Sequence, residues 1–476
     1  MPADVLSLPI TLDDKQETPL YQQLAARLRE AIAHGALTAG AVVPTTRMLA
    51  GKLGVSRATV IKAYDILQSQ GFIVAQEDGG MIIADGKMEG AAPLPPLPVA
   101  FELTEFAARA TRAEETALPS QLASFAPSWD ELPHAIWKRL LHRQIDEVNL
   151  EQPLPAPGSD ALREAIAEYL SRTRALQCDR SQVAVFSGPT SSLDFLSRVF
   201  IHPDDIIAVE NPGFPIARRI FKTHGAALLP IPVDGEGIQV EALCNVKQNI
   251  RAVYITPSAQ DPTGTVLSPS RREALVAWAR ENGSLIIEDD FGASFRYTSR
   301  PLPSLAGIDA GQCVVYLSSF WEALFPLTRV SFAVFPRSVF EATMRVRDIL
   351  EREVSAAEQA ALTELLNSGQ LESHIRKLRN LHAKRRQALI ISLTKKFGGR
   401  LKLPRESSGT HLLLKFKEPV YDQAAAQIEQ TLPMVRTRQY YVGEAPKDEF
   451  VLSFSRIADD QVDSIADQLH SILEQS

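Results

Sequence analysis

The chain has 476 residues, of which 45% are hydrophobic and 22% charged, a composition typical of globular proteins with at least two domains. Its formal net charge of -7 excludes a chain that is basic overall, so any contact with nucleic acid must come from a local basic surface. Its three cysteines form no CxxC pair and no histidine cluster has metal-ligand spacing, which fits a reducing compartment and predicts no metal site. We expect a cytoplasmic protein without a membrane partner, because no signal peptide is visible and no stretch stays apolar over the roughly 20 residues of a membrane span.

Residues 1–85 are predicted to form three short helices followed by a β-hairpin. Leucine or isoleucine recurs at every fourth position over 20–32, which indicates an amphipathic helix. A second helix is predicted to follow Pro44 and to end at Gly54, and Ser56 can cap a third. The strand-like runs FIVAQ and MIIA come next, and the EDGG between them suits a tight turn. This order predicts a winged helix-turn-helix, mostly α with a β-hairpin wing.

The second and third helices carry basic residues and no acidic residue between Arg47 and Lys62. In a helix-turn-helix, the start of the later helix enters the major groove and the earlier helix meets phosphates. We therefore expect groove contacts from the later helix and phosphate contacts from the earlier one, made respectively by Ser56, Arg57, Thr59 and Lys62, and by Thr45, Thr46 and Arg47. Arg57 is the side chain expected to read a guanine edge.

The stretch from Thr18 to Phe72 resembles the GntR-type winged helix nearly from end to end. The match includes the PLYQQL start and the recognition-helix segment LGVSRATVIKAYDIL. The resemblance implies DNA contacts from Arg47, Ser56, Arg57 and Thr59, with Gly80 at the tip of the wing. A merely solvated basic face is the simpler alternative, and the length of the match outweighs it. The implied partner is a double-stranded DNA operator.

Residues 86–120 contain the segment LPPLP and are predicted to form a semi-rigid spacer. Over 121–476, short apolar runs such as VAVF, AVYI and LIIE alternate with helical patterns. Buried strands separated by helices indicate a mostly parallel sheet that is covered on both faces. The sequence therefore predicts a large α/β domain after the spacer.

This domain resembles fold-type I aminotransferases, specifically the aminotransferase class I-like half of MocR-type (GabR-like) regulators in the GntR family. The segments that carry the resemblance, in family order, include GSDALREAIAEYL, NPGFPIARRIF, TPSAQDPTG, LIIEDDFGASFRY and SSGTHLLLKF. The resemblance implies pyridoxal phosphate as the family cofactor and a homodimer that sets two winged helices over paired half-sites. It also implies a role for the large domain in dimerisation and in sensing a small-molecule effector.

The cofactor loop, YLSSFWEALFPLTRVSFAVFP, has Glu322 where the family carries the lysine that bonds covalently to the cofactor. A carboxylate cannot form that bond, so the resemblance implies a domain without catalysis. Other family positions are kept or replaced. Asp289 matches the partner of the pyridine nitrogen, and Arg329 matches the phosphate-binding arginine. Phe291 replaces a tyrosine and Ala259 a histidine that would contact the cofactor ring.

Three further residues complete the expected vestigial site. Ser319 offers a hydroxyl to the phosphate, Thr190 replaces the usual glutamine at a helix start that still attracts anions, and Phe214 lies near the ring. Val451 stands where the family's arginine clamps the substrate carboxylate, with Arg456 several residues on. Pyridoxal phosphate is therefore expected at most as a residual, non-covalent ligand.

We expect no catalytic residue in this domain. Glu322 is expected to have a raised pKa when buried, to repel the cofactor phosphate, and to pair with Arg329 so that the phosphate site is filled internally. Two alternatives stay open at this point. One is a working aminotransferase that uses another lysine, such as Lys395 or Lys402, and the other is an architectural DNA-binding dimer whose large domain only dimerises.

Overall fold

The structure, a computed structural model, describes residues 5–8, 10–14, 18–33, 35–76, 80–84, 102–112, 132–147, 154–297, 302–350, 354–404 and 407–475. The chain forms two compact units, Met1–Glu102 and Leu103–Ser476. Among the described residues, no helix is both long and apolar enough to cross a membrane. The same residues contain no group of three His, Cys, Asp or Glu side chains placed to hold a metal ion.

The first unit is a winged helix, as predicted. Its elements are α1 (Leu20–Ala33), β1 (Val42–Val43), α2 (Thr46–Leu53), α3 (Arg57–Ser69), β2 (Ile73–Ala75) and β3 (Met81–Ile83). The strands form an antiparallel sheet in the order β1-β3-β2. Hydroxyl caps start both helices of the helix-turn-helix, since Thr45 accepts a hydrogen bond from the Met48 N–H and Ser56 from the Thr59 N–H.

The second unit is built on an eight-stranded sheet in the order β4-β11-β10-β9-β8-β5-β6-β7. Four neighbouring pairs are parallel, namely β10 with β9, β9 with β8, β8 with β5, and β5 with β6. The strands are β4 (Val183–Phe186), β5 (Ile206–Asn211), β6 (Ala227–Asp234), β7 (Gly237–Ile238), β8 (Ile250–Ile255), β9 (Leu285–Asp289), β10 (Val314–Ser319) and β11 (Ser331–Val334). The predicted α/β fold with a mostly parallel sheet is confirmed.

Helices cover both faces of this sheet. Along β9, Ile286 belongs to one apolar cluster and its neighbour Ile287 to another, which is the alternation expected when successive side chains point to opposite faces. The helices up to the end of the sheet are α4 (Glu105–Arg112), α5 (His134–Glu147), α6 (Asp160–Arg174), α7 (Pro189–Phe200), α8 (Pro215–Thr223), α9 (Val240–Cys244), α10 (Pro269–Asn282), α11 (Leu305–Asp309) and α12 (Trp321–Leu324).

The C-terminal part adds a smaller layer. After α13 (Arg337–Leu350), α14 (Ala356–Asn367) and the long α15 (Gln370–Phe397), an antiparallel sheet forms in the order β12-β13-β15-β14. Its elements are β12 (Leu401–Lys402), β13 (His411–Phe416), α16 (Asp422–Thr431), β14 (Met434–Arg436), β15 (Glu449–Ser453) and α17 (Val462–Glu474). This layer has its own apolar cluster, which includes Leu412, Phe450 and Leu469.

The structure differs from the predicted spacer over part of its length. Within 86–120, the residues of α4 form a helix that packs on α8. The rings of Phe106 and His224 meet at 5.1 Å, and the Arg109 Nε–H donates to the Thr223 carbonyl at 3.0 Å. These contacts assign α4 to the large unit. Residues 86–101 and 113–120 lie outside the described residues, and the domain boundaries drawn from the sequence stay predictions.

Candidate functional site

The predicted DNA-contacting residues lie at the start of α2, in the first two turns of α3 and its cap, and just before β3. Arg47, Ser56, Arg57 and Lys62 are exposed, and Thr46 and Thr59 are half-buried. Gly80 lies just before β3 and its carbonyl accepts from the Gln76 N–H at 2.8 Å, while 77–79 lie outside the described residues. The helix-turn-helix thus brings together the side chains that the sequence spacing assigned to one surface.

Arg57 is held in place across the turn. Its Nε–H donates to Thr46 Oγ1 at 3.1 Å, so the two terminal nitrogens of the guanidinium stay available. Lys62 is exposed, and its ammonium lies over the Tyr21 ring, 5.4 Å from the centroid. Tyr64 is buried on α3, and its hydroxyl donates to the Pro44 carbonyl at 2.9 Å, which ties α3 to the segment before α2.

In the large unit, the seven residues predicted for a vestigial cofactor site line a single cavity of about 210 Å³. They are Thr190, Phe214, Asp289, Phe291, Ser319, Glu322 and Arg329. Thr190 begins α7, Phe214 precedes α8, and Asp289 and Ser319 end β9 and β10. The cavity therefore lies at the carboxyl ends of the strands, where open α/β sheets bind ligands.

Glu322 lies on α12 and is anchored by the main chain. Its Oε1 accepts a hydrogen bond of 2.6 Å from the Gly292 N–H. Burial raises the pKa of Glu322 to about 8; the Gly292 hydrogen bond opposes this shift, and the negative charges of Asp290 and Asp289 add to it. The raised pKa agrees with the expectation for a buried carboxyl at this position.

The expected ion pair between Glu322 and Arg329 is not found among the ion pairs of the described residues, and this prediction needs correction. The Glu322 carboxylate instead accepts a hydrogen bond from the Gly292 N–H. Arg329 is exposed and lies beside Gly188 at the start of α7, where a Cβ on Gly188 would come 3.7 Å from Arg329 Nε. The Arg329 guanidinium thus stays open to an anion at the mouth of the cavity.

The two neighbouring aspartates at the end of β9 have different surroundings. Asp289 Oδ2 accepts from the Tyr254 hydroxyl at 2.6 Å, and burial raises the pKa of Asp289 to about 6. Asp290 pairs with Arg174, whose Nε lies 2.6 Å from Asp290 Oδ2, and also accepts from Tyr316 at 2.6 Å. Among the described residues Asp289 therefore has no cationic partner, whereas the charge of Asp290 is neutralised by Arg174.

Sequence reasoning missed Asp261 and Tyr440, which also line this cavity. Asp261 is 8% exposed and Tyr440 is fully buried. Burial, reinforced by the negative charge of Glu210, raises the pKa of Asp261 to about 8. The segment TPSAQDPTG contains Asp261, and its acidic side chain beside Pro262 was the signal that a closer reading of that segment offered.

Other predicted positions lie away from the cavity or are filled by packing. Val451 is buried in β15, and Arg456 is exposed and does not line the cavity. Lys395 lies on α15 and Lys402 on β12, and no lysine is among the described residues that line the cavity. Phe291 stacks on His411 with ring centroids 6.5 Å apart.

A second cavity of about 280 Å³ shares four lining residues with the first, namely Asp290, Ser318, Ser319 and Glu322. Its other polar residues include Arg172, Arg376 and Glu372. The Arg172 Nη2–H donates to Glu372 Oε1 at 3.0 Å. Glu322 therefore borders two cavities of different charge, one with mainly acidic polar groups and one rich in arginine.

Comparison with known proteins agrees with this architecture. The family described as "Bacterial regulatory proteins, gntR family" matches residues 20–83, and "Aminotransferase class I and II" matches residues 126–468. The Pyrococcus horikoshii kynurenine aminotransferase superposes with a TM-score of 0.69 at 22% identity, covering 79% of this chain and 95% of that one. At that identity the likeness shows the fold alone.

The sequence relatives are regulators by name. An uncharacterized HTH-type transcriptional regulator of Bacillus subtilis, YdeL, is 32% identical over 84% of this chain and 84% of its own. The probable rhizopine catabolism regulatory protein MocR of Rhizobium meliloti is 30% identical over 94% of this chain and 92% of its own.

A gntR-type winged helix and an aminotransferase class I/II domain in one chain define a class of transcriptional regulators in which an enzyme fold accompanies a DNA-binding module. The two family matches follow one another in this chain, and the similarity to the MocR regulatory protein covers 94% of it. The chain belongs to the MocR-type family of GntR regulators.

Proposed function

We propose that this regulator binds its operator through the start of α3 and the residues before α2, and that its large domain dimerises and takes up a ligand without catalysing transamination. The single observation that carries the second half is Glu322 in the cavity at the carboxyl ends of the strands, hydrogen-bonded to Gly292. An acid at the position of the family's covalent lysine removes both the nucleophile and the base of the reaction.

The residues of the cavity do not fit a covalently held pyridoxal phosphate. No lysine is among the described lining residues, and Phe291 and Ala259 lack the polar atoms that would meet the ring. Asp261, Asp289 and Glu322 place three acidic groups in a site that would receive an anionic phosphate, and their raised pKa values indicate that this site disfavours additional negative charge. Arg329 with Thr190 and Ser319 supports only a residual, non-covalent contact with a phosphate group.

The DNA-binding half of the proposal is supported by the geometry of Arg57. Its Nε–H is engaged by Thr46, and the two terminal nitrogens match the paired acceptors of guanine in the major groove. Arg47, Ser56 and Thr59 lie at the two helix starts, where main-chain N–H groups and hydroxyls suit phosphate contacts. This arrangement supports an operator-binding surface formed by α2 and α3.

Dimerisation is supported by an apolar stripe on α13. Val346, Ile349 and Leu350 are 36%, 84% and 47% exposed and follow the helical spacing of one face. Large apolar side chains exposed together are a feature of association surfaces. We propose that this stripe contributes to contact between two copies of the chain.

One experiment tests the non-enzymatic proposal directly. The protein is incubated with pyridoxal phosphate, treated with borohydride, denatured and examined by intact-mass spectrometry. The proposal expects no stable mass increase, because no lysine is among the lining residues in the described part of the chain. A stoichiometric adduct mapped to any lysine would overturn it and revive the working aminotransferase.

A further inference from the structure

The cavity that contains Glu322 is lined by both aromatic and acidic side chains. Four aromatic side chains line it, those of Phe214, Phe291, Trp321 and Tyr440. Four acidic side chains line it too, and one of them, Asp290, is already neutralised by Arg174. Aromatic faces together with carboxylates form the environment that attracts organic cations.

Within the described residues, the remaining three carboxyl groups have no cationic partner at bonding distance. Asp289 is hydrogen-bonded by the neutral Tyr254 hydroxyl and Glu322 by the Gly292 N–H. Arg218 is the cation whose charge acts on Asp261, but its guanidinium donates to the main-chain carbonyls of Gln439 and Tyr440. Arg329 is exposed at the mouth of the cavity. The interior therefore carries an excess of acid.

The Tyr440 hydroxyl in this cavity is fully buried and lies beside the Gln439 side chain, but it has no well-formed hydrogen bond among the described residues. The Asp261 carboxylate, on a residue that is 8% exposed, receives no hydrogen bond from the described residues. His411 Nε2 lies 3.9 Å from Asp261 but bonds to the Pro262 carbonyl, and burial lowers the pKa of His411 to about 4, so the imidazole is neutral. Buried groups of this kind are normally satisfied, here by a ligand that brings N–H donors.

We propose that this cavity binds a small organic cation non-covalently, an alkylammonium or guanidinium compound, with its charged nitrogen among Asp261, Asp289 and Glu322. The hydrocarbon part then packs on the aromatic walls. This inference rests on the proposed ligand-binding role of the large domain and names the chemical class of the ligand. A compound whose only charge is negative is disfavoured, because it would face three uncompensated acids.

The pH dependence of binding follows from the same groups. Burial raises the pKa of Asp261 and of Glu322 to about 8, so a cation has to displace protons from them below that pH. An alkylammonium stays charged up to a pH near its own pKa of about 10.4. Affinity should therefore rise between pH 6 and pH 9, because over this range Arg218, with a pKa lowered to about 10, stays charged and His411, with a pKa lowered to about 4, stays neutral.

The test uses the full-length protein and three linear four-carbon probes. Thermal shift and titration calorimetry compare 1,4-diaminobutane, which is a dication, with neutral 1,4-butanediol and anionic succinate; butylguanidinium tests the second cation type. We expect melting temperatures to rise with either cation and with neither of the other two. Asp261→Asn and Glu322→Gln should each weaken cation binding by at least about tenfold, the size expected for a lost charge-assisted hydrogen bond. Glu281→Gln, at an exposed site on α10, should bind like the wild type.

Three results would each overturn the proposal: no shift with either cation, an equal shift with succinate or pyridoxal phosphate, or unchanged affinity in both acid variants. Melting curves of the ligand-free variants show whether they are folded, and Asp289→Asn provides a third variant if one of the others is not. Operator binding is measured on the same wild-type preparation. If DNA is bound but no cation is, the ligand class is wrong and the regulator proposal stands; if DNA is not bound, the regulator proposal fails whatever the cavity binds.

Discussion

Gly292 and Glu322 are joined by a hydrogen bond of 2.6 Å, in which the Gly292 N–H donates to Glu322 Oε1. Gly292 has a φ of +72°, and a Cβ at this residue would come 2.3 Å from the Cβ of Ala259. Position 292 therefore needs glycine for both conformation and space. The glycine at 292 thus leaves room for the alanine at 259 and presents its N–H to the acid at 322.

Replacing Glu322 with lysine should restore a covalent contact with pyridoxal phosphate. The substitution removes one of three uncompensated acids and supplies an amine at the family position, with Asp289 and Arg329 retained. We expect borohydride to trap the cofactor on Glu322→Lys but not on the wild type or on Glu322→Gln. If Glu322→Lys shows no gain over Glu322→Gln, then the acid alone does not block the site.

Replacing Asp261 with asparagine should stabilise the ligand-free protein more at high pH than at low pH. The pKa of Asp261 is raised in the folded state to about 8. Its favourable contribution to the free energy of unfolding is therefore fully present below the pKa of the unfolded state and is lost as the pH rises through 8. We expect the melting temperature of Asp261→Asn, relative to wild type, to be at least about 2 °C higher at pH 9 than at pH 6. A difference that is constant between pH 6 and 9 would contradict the buried-acid interpretation, and Glu281→Gln is the matched control.

Replacing Arg57 with alanine should weaken operator binding by about 1 to 3 kcal/mol if the side chain reads a base. Thr46→Val should weaken binding in the same direction but less, because it frees the Arg57 guanidinium without removing it. The measurement is a titration against DNA selected from a random pool by the wild-type protein. Arg27→Ala, at an exposed residue of α1 that pairs with Glu30, is the control. If Arg57→Ala and Arg27→Ala bind the selected DNA with equal affinity, Arg57 does not read a base.

Placing a charge in the α13 stripe should disrupt the dimer. Ile349 is 84% exposed between Val346 and Leu350, so an aspartate there would face the partner copy at a cost in desolvation. Sedimentation velocity should show a shift toward monomer for Ile349→Asp. Ile391→Asp, at an exposed position on α15 outside the stripe, should sediment like the wild type. If Ile349→Asp remains a dimer, the α13 stripe is not the interface.

Much of this protein was accessible from local sequence features. Helix caps at Thr45 and Ser56, a hairpin signal and the alternation of apolar runs with helices predicted both domains, because capping and periodicity are local properties. The resemblance to the aminotransferase family implied seven cavity residues, and the fold brings them together because the carboxyl ends of parallel strands meet at one edge of the sheet.

Tertiary structure alone decided the charge state of the site. Asp261 follows β8 and Tyr440 follows β14, and no local pattern relates either to Glu322. Neighbouring Asp289 and Asp290 look equivalent in the sequence, but they have different partners, Tyr254 and Arg174. Hydrogen-bond partners and burial depend on segments that are distant along the chain. The residue types and the raised pKa of Glu322 were therefore predictable, while the partners of the two aspartates and the raised pKa of Asp261 were not.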